Sequence, residues 1–452
     1  MKKKLENRKN NKSIIVSTLI FVITFIAMAG YLIYFNLTQA ESIINNSYNK
    51  RQGVLSRRTI RGSILSDDKT KLAVTNVDDD GNETRYYPYS GLFSHTIGYL
   101  NNGGYGLESL YGYYMLHSNQ NFFEQIGNDL SGNRNTGDNV VTTLNVGLQK
   151  ACYDALGSNR GAVIVMEPST GKILAMVSKP DFDPNTLAAN WSQITGEGSD
   201  SVLVNRATQG LYPPGSTFKL ITMLEYLREH KNDYGQYHYI CDGTYELGNN
   251  TINCVRTTAH GDVDLFSSLA VSCNCSFINI GLSLDLDRYK KTAEKMLFNK
   301  ELPTNLEYNK SRFVLNGESS EWDIAQTSFG QGKTVITPFH LALITCTIAN
   351  NGTLMEPYLV SSVESTNGMI VKKFKEEKYD TLITEKEASL LKKGMEQVVK
   401  DSFSWLFGGV EYTLAAKSGS AQYGTEGYEH SLYASFSPAD NPEIAVVAGG
   451  EG

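Results

Sequence analysis

The hydrophobic pattern near the start of the chain predicts a membrane-spanning helix. Residues 13–40 contain no charged side chain, and residues 14–35 are almost all apolar. A helix needs about 20 apolar residues to cross the hydrocarbon core of a bilayer, so this run is long enough. The pattern predicts a tail at 1–12, a transmembrane anchor at 13–36 and a smaller, β-rich N-terminal module at 37–140.

A second apolar pattern predicts a helix from Thr217 to Arg228. Apolar side chains recur in this stretch at the spacing of one helix face, at Leu220, Ile221, Leu224 and Leu227. The preceding residues, 213–215, read Pro-Pro-Gly and interrupt regular structure. Ser216 therefore stands where a helix begins, a position that serine often occupies as a cap.

Short apolar runs predict strands on both sides of that helix. Residues 161–165 and 172–177 flank the turn-forming sequence at 168–171, which is typical of a hairpin. Two further strands are predicted at 412–422 and 443–447. These elements make residues 141–452 one α/β (α+β) domain. Only five residues, ending at Gly452, follow the last predicted strand. We therefore expect no helix after this strand, and one face of the sheet is expected to be poorly covered.

Charge gives the predicted anchor an orientation. The first twelve residues carry six basic side chains and only one acidic one, Glu6. A positive flank stays in the cytoplasm, so everything after residue 40 is predicted outside. A cleaved signal peptide with its cleavage site at 38–40 is the alternative, although its apolar core would normally be about 7–15 residues. The whole chain has a net charge of −7 without a basic patch, and a nucleic-acid partner is not expected.

Ser216 and Lys219 form the first candidate catalytic pair. They are three residues apart, and residues at this spacing share a helix face. A serine hydroxyl becomes a good nucleophile only when a base takes its proton. A lysine can be that base if burial or a second cation lowers its pKa. The backbone N–H of Ser216, at a helix start, is free to face a developing oxyanion.

Two later runs offer matching chemistry. Ser272 and Asn274 supply a hydroxyl that can relay a proton and an amide that can hold a lysine or a peptide bond. Lys417 adds a positive charge, and Gly419 lets a substrate backbone lie close to the predicted strand. Ser418 and Ser420 offer hydroxyls to a carboxylate.

The three runs, Ser-x-x-Lys, Ser-x-Asn and Lys-Ser-Gly in this order, resemble those of the penicillin-binding proteins. Three other segments extend the resemblance over residues 50 to 450, and they favour the monofunctional, class B kind: Arg61 to Ile64, Gly106 to Glu108, and Gly330 to Gly332 with Thr337-Pro338. The resemblance implies a serine D,D-peptidase/β-lactamase-like fold and a peptidoglycan D,D-transpeptidase. The first module is too short for the glycan-polymerising domain of bifunctional members.

The resemblance also implies roles for these residues. Ser216 attacks the penultimate D-alanine carbonyl of a stem pentapeptide, with Lys219 as base. The N–H groups of Ser216 and Ser420 form the oxyanion hole, and Ser272, supported by Lys417, returns the proton to the departing D-alanine. β-Lactams trap Ser216. No metal or cofactor is needed, and a membrane glycan polymerase is an implied partner.

Three alternatives remain open at this point. A D,D-carboxypeptidase would use the same chemistry with water as the acceptor. A β-lactamase would need a deacylating base, and Glu301 lies four residues before Asn305, as in the deacylating loop of class A enzymes. The third is a non-catalytic scaffold or β-lactam sensor with a decayed site.

The six cysteines show neither Cys-x-x-Cys nor zinc-finger spacing, and the seven histidines show no metal pattern. Cys241 and Cys254 flank a Gly/Asn-rich turn and could close a hairpin through a disulfide outside the cytoplasm. Cys273 and Cys275 are interpreted as small buried packing residues, and His260 as structural.

Overall fold

The computed structural model describes residues 2–38, 56, 59–196, 198–423 and 428–452. Its first helix, α1 (Lys2–Thr38), contains one stretch, Ile14–Phe35, that is long and apolar enough to cross a membrane. This stretch has 22 residues, none of them buried, as expected for a helix whose natural surroundings are lipid. The predicted apolar anchor helix is therefore present. The alternative cleavage site falls largely outside the described residues.

Nineteen strands are present in the described part of the chain: β1 Thr59–Ile60, β2 Ile64–Leu65, β3 Lys71–Val77, β4 Glu83–Tyr86, β5 Asn135–Thr136, β6 Asn139–Thr142, β7 Gly161–Met166, β8 Ile173–Lys179, β9 His238–Cys241, β10 Thr244–Leu247, β11 Asn250–Asn253, β12 Gly261–Asp264, β13 Thr353–Met355, β14 Val360–Glu364, β15 Ile370–Lys373, β16 Lys378–Thr381, β17 Ala415–Tyr423, β18 Tyr428–Ser437 and β19 Ile444–Gly450. The α-helices after α1 are α2 Ser94–Ile97, α3 Gly106–Leu110, α4 Gly112–Met115, α5 Phe122–Leu130, α6 Val146–Leu156, α7 Leu187–Ile194, α8 Lys219–Glu229, α9 Leu265–Ala270, α10 Asn274–Ser283, α11 Leu286–Lys295, α12 Glu321–Ser328, α13 Pro338–Ala349, α14 Glu385–Ser402 and α15 Ser404–Phe407.

A five-stranded antiparallel sheet, in the order β17-β18-β19-β7-β8, forms the frame of the larger domain. The predicted hairpin is confirmed as β7 and β8, and the two predicted C-terminal strands are β17 and β19. Helix α13 packs on this sheet and is buried along its whole length, because nearly all its residues are apolar. Helix α6 packs against β7 and β8. On β19, Ile444, Val446 and Ala448 are half-buried and pack on the cluster that includes Cys152.

Helix α8 is the centre of the helical part of this domain. The apolar stripe predicted a helix with one buried face, but every residue from Lys219 to Leu227 is buried. The reason is that α10, α11 and α14 all pack around α8, so its polar face is also enclosed. Its polar residues therefore find partners inside the protein. Thr222, for example, donates a hydrogen bond to the carbonyl of Ser328 at 2.8 Å.

The sheet of the N-terminal module contains strands from two distant parts of the sequence. Its order is β15-β14-β6-β2-β3-β4, and β14 and β15 belong to residues 360–373. A buried ion-pair cluster holds three segments of the module together. The guanidinium Nε atoms of Arg61 and Arg85 lie 2.8 Å and 2.7 Å from the two carboxylate oxygens of Glu108. The Arg61 and Glu108 segments that signalled the family resemblance are thus joined by a fully buried carboxylate.

Candidate active site

Ser216 lies in a 3-10 turn, Gly215–Phe218, that leads directly into α8. The α-helix therefore begins at Lys219, two residues later than predicted. Residues three apart eclipse one another in a 3-10 turn, so this geometry still puts Ser216 and Lys219 on one side. Ser216 is half-buried and lines an open cleft between the turn, β17 and the loop that follows β11.

Three glycines allow the backbone around Ser216 to pack closely. Gly215 has a φ of +55°, a conformation that glycine adopts easily. A Cβ on Gly330 would lie 1.7 Å from the Gly215 carbonyl oxygen, and one on Gly419 would lie 3.0 Å from the Ser216 nitrogen. Ser420 is equally near, because its backbone nitrogen would lie 3.0 Å from a Cβ on Gly215. The backbone of the serine turn therefore packs directly against the backbone of β17 at Gly419 and Ser420.

Lys219 is completely buried below the cleft. Its Nζ lies 2.7 Å from the carbonyl oxygen of Ser272, 3.1 Å from the Ser272 hydroxyl and 2.8 Å from Oδ1 of Asn274. Burial lowers the pKa of Lys219 to about 7. A substantial fraction of this lysine is therefore neutral near pH 7, which an ordinary surface lysine is not.

Lys417 approaches the same serine from β17. Its Nζ lies 3.0 Å from the Ser272 hydroxyl and 2.8 Å from the carbonyl oxygen of Ser418. Burial, together with the charge of Lys219, lowers the pKa of Lys417 well below its usual value. Ser272 thus bridges two buried amines, and it does so from a left-handed backbone conformation with a φ of +55°. Such a position costs energy for a residue with a side chain, and strained residues of this kind concentrate at functional sites.

Asn274 begins α10 and completes this network. Its Oδ1 accepts the hydrogen bond from Lys219, and its Nδ2 donates one to the carbonyl of Asn253 at 3.0 Å. The second bond ties the start of α10 to the end of β11. The Ser-x-Asn segment is therefore fixed from both the lysine side and the loop side.

The structure brings all the predicted site residues to one place. Ser216, Ser272, Asn274, Ser418 and Ser420 line the cleft, Gly419 packs against the serine turn, and the two lysines lie beneath.

The sequence interpretation missed several residues that also line the cleft, including Trp322, Gln326 and Gln331. Gln331 belongs to the Gly-Gln-Gly segment that supported the family resemblance, but that segment was not assigned to the site. Trp322 and Gln326 lie on α12, and nothing in the local sequence marks them.

Glu301, the candidate deacylating base, lies outside the cleft. Its side chain is 76% exposed, with its carboxylate 2.6 Å from Nζ of Lys310 and hydrogen-bonded to the hydroxyl of Tyr308. These bonds hold the pKa of Glu301 below its usual value. The residue is not among those that line the cleft.

Comparison with known families and structures gives a consistent result. Residues 161–450 match the penicillin binding protein transpeptidase domain, and residues 61–140 match the penicillin binding protein A dimerisation domain. The peptidoglycan D,D-transpeptidase PbpA of Mycolicibacterium smegmatis is 30% identical over 81% of this chain and 77% of that protein. The peptidoglycan D,D-transpeptidase MrdA of Acinetobacter baumannii is 26% identical over 80% of this chain and 62% of that protein.

Solved structures agree. A D,D-transpeptidase domain from Eggerthella lenta superposes with a TM-score of 0.78 at 29% identity, covering 87% of this chain and 94% of that one. Penicillin-binding protein A from M. tuberculosis, solved as an imipenem acyl-enzyme complex, superposes with a TM-score of 0.79 at 28% identity. The match covers 87% of this chain and 94% of that one.

The chain therefore belongs to the penicillin-binding protein transpeptidase family. The class B, monofunctional membership and the fold class predicted from the motifs are both confirmed by these relatives.

Proposed function

We propose that this protein is a membrane-anchored peptidoglycan D,D-transpeptidase that forms its acyl-enzyme on Ser216. The observation that carries the proposal is the shared Ser272 hydroxyl, 3.1 Å from Nζ of Lys219 and 3.0 Å from Nζ of Lys417. This hydroxyl connects two buried amines of lowered pKa beside a cleft serine. Such a chain of groups can remove a proton from a nucleophile and return it to a leaving group.

In the acylation step, neutral Lys219 takes the hydroxyl proton as Ser216 Oγ attacks the penultimate D-alanine carbonyl of a stem pentapeptide. The N–H groups of Ser216 and Ser420 stabilise the oxyanion, a role supported by the close packing of the serine turn against the Ser420 backbone. As the peptide bond breaks, Ser272 passes a proton to the departing D-alanine nitrogen and is reprotonated through the lysines. The products are a Ser216 ester and free D-alanine.

In the transfer step, an amine from a neighbouring stem attacks the ester, and the same groups accept its proton. The new amide is the cross-link, and Ser216 recovers its hydroxyl. Ser418 and Ser420 offer hydroxyls to the terminal carboxylate of the donor stem, and buried Lys417 adds positive charge behind them. β-Lactams acylate the same serine by opening of their ring.

A transpeptidation assay tests this proposal against the carboxypeptidase alternative. The full-length protein in detergent is given pentapeptide-bearing glycan strands, made by a separate glycan polymerase of the kind the resemblance implies as partner. We expect D-alanine release together with cross-linked dimers, both stopped by penicillin. D-alanine release with tetrapeptides and no dimers would instead assign water as the acceptor, and no release would favour the decayed-scaffold alternative.

The β-lactamase alternative predicts a deacylating base, and we expect Glu301 not to be one. Its carboxylate is occupied by Lys310 and Tyr308 on an exposed loop away from the cleft. Glu301→Ala should leave the lifetime of the penicilloyl complex roughly unchanged, as measured by loss of fluorescent penicillin label. A lifetime lengthened by about 10²-fold or more, the usual worth of a positioned base, would identify a lactamase-like step.

The division into a tail at 1–12, an anchor at 13–36, a module at 37–140 and a catalytic domain at 141–452 is also proposed, with the tail in the cytoplasm. It is supported by the basic residues before the apolar helix and by the matched regions.

Thiol labelling in intact protoplasts tests the orientation. All six native cysteines are buried, so the wild-type protein is the unlabelled control. Asn133 is exposed, and Asn133→Cys should react with an impermeant maleimide in intact cells. Asn11→Cys should react only after lysis. The reverse pattern would place the catalytic domain in the cytoplasm.

A further inference from the structure

Four buried thiols and one histidine converge directly behind the Ser272–Asn274 segment. Cys241 ends β9, Cys254 follows β11, His260 precedes β12, and Cys273 and Cys275 flank Asn274 at the start of α10. None of these four cysteines forms a disulfide in the structure, and each is at most 2% exposed. The cleft network described above does not use their side chains.

The spacing of these atoms is that of a metal site. Sγ of Cys254 lies 3.8 Å from Sγ of Cys241 and 3.8 Å from Sγ of Cys273. Nδ1 of His260 lies 3.4 Å from Sγ of Cys241. These four ligand atoms all lie within 4.8 Å of one another. In tetrahedral zinc with Zn–S bonds of about 2.3 Å, neighbouring sulfurs are separated by about 3.8 Å.

Disulfide formation explains this arrangement less well. A disulfide needs an S–S distance of about 2.05 Å, and Cys254 can form only one such bond. Yet Cys254 contacts three sulfurs at 3.4 to 3.8 Å, including that of Cys275. A sulfur in contact with three others is arranged as a ligand in a cluster rather than as one half of a disulfide.

We propose that Cys241, Cys254, His260 and Cys273 bind one structural Zn²⁺ ion, with Cys275 donating a hydrogen bond to the Cys254 thiolate. Three thiolates and one imidazole form a closed tetrahedral set, which is the composition of structural zinc sites. A surrounding hydrogen bond such as that from Cys275 is the usual support of a ligand.

The site would position the catalytic loop. Cys273 stands between Ser272 and Asn274, and Cys254 follows Asn253, whose carbonyl accepts the Asn274 hydrogen bond. The ion would therefore clamp the hairpin of β10 and β11 to the start of α10. It would also fix the left-handed backbone at Ser272. This positioning role rests on the proposed function, whereas the metal site itself does not.

Metal content of the full-length protein, purified in detergent without chelators, tests the site. We expect about one zinc per chain by elemental mass spectrometry. Cobalt substituted for zinc should give the visible spectrum of a tetrahedral, thiolate-rich ion. His260→Ala should lose the metal yet keep its circular dichroism spectrum, since His260 is only half-buried. Cys254→Ser should lose it as well.

The matched controls are Cys152→Ser and Cys346→Ser, which alter buried cysteines outside the cluster and should retain the ion. Cys275→Ser should also retain it. A folded wild-type protein that stays metal-free after zinc addition under reducing conditions would overturn the proposal. So would a disulfide among these cysteines in the native protein, or zinc retained by both His260→Ala and Cys254→Ser.

The positioning role has a separate readout. Folded, metal-free His260→Ala should be acylated by penicillin about tenfold more slowly than wild type, within the usual range for lost support of a site. Unchanged acylation would remove the positioning role and leave the metal site. If wild-type protein with bound zinc takes no penicillin label, the proposed function fails and the zinc site does not.

Discussion

Replacing Lys219 is expected to abolish acylation of Ser216 by penicillin almost as completely as replacing Ser216 itself. Lys219 is fully buried, and burial lowers its pKa to about 7, so its amine can be neutral and act as a base. A base that acts before any acyl-enzyme exists works as one unit with its nucleophile. The effects of replacing the two residues are therefore not additive, and replacing either one should lower the acylation rate about 10⁴-fold or more.

Two substitutions of Lys219 distinguish the effect of losing its amine from the effect of losing its buried volume. Lys219→Ala removes both, whereas Lys219→Met removes the amine and keeps most of the buried side chain. Second-order acylation rates are compared with those of Ser216→Ala and of Lys386→Ala, an exposed lysine on α14 that should behave as wild type. Near-normal acylation of Lys219→Met would show that another group activates Ser216.

The second large effect is expected at Ser272. Its hydroxyl is the only atom that both Nζ of Lys219 and Nζ of Lys417 contact within hydrogen-bonding distance in the described part of the chain. Ser272→Ala would remove the relay and leave two buried amines without their shared partner. We expect acylation to slow by about 10²–10⁴-fold, the usual worth of a positioned proton-transfer group.

Ser283→Ala is the matched control, because it removes an exposed hydroxyl from the far end of the same helix, α10. Lys417→Met should reduce acylation as well, since it removes the support of Ser272 and the positive charge near Ser418. An acylation rate for Ser272→Ala within a factor of two or so of the control would remove Ser272 from the proton path.

The sequence predicted the local elements well where a short-range pattern determines them. The hairpin of β7 and β8 follows from two short apolar runs around a turn, and the helix after Ser216 follows from its apolar stripe. The exact start of α8 was missed, because a 3-10 turn and the close packing of Gly215 depend on residues far along the chain, such as Gly330.

Features that depend on distant contacts were not predictable from one sequence. The pairing of β14 with β6 joins residues about 220 positions apart, and no local pattern indicates it. The segments containing Arg61 and Glu108 could be recognised by resemblance, but the buried ion pair that explains them appears only in the fold.

The cysteine and histidine cluster shows the same limit most clearly. Its members come from β9, the segment between β11 and β12, and the start of α10, so their spacing matches no compact zinc motif. Cys273 and Cys275 are buried, as interpreted. The fold alone reveals that they share one site with Cys241, Cys254 and His260.

The central claim is that Ser216 is the nucleophile of a penicillin-reactive transpeptidase, and mapping the covalent adduct tests it most directly. The wild-type protein is incubated with one penicillin, its intact mass is recorded, and the modified residue is located by peptide mass spectrometry. The account predicts a mass gain of one intact drug molecule per chain, carried by Ser216 and absent from Ser216→Ala. A folded wild-type protein with no adduct, or an adduct on another residue that persists in Ser216→Ala, would contradict it.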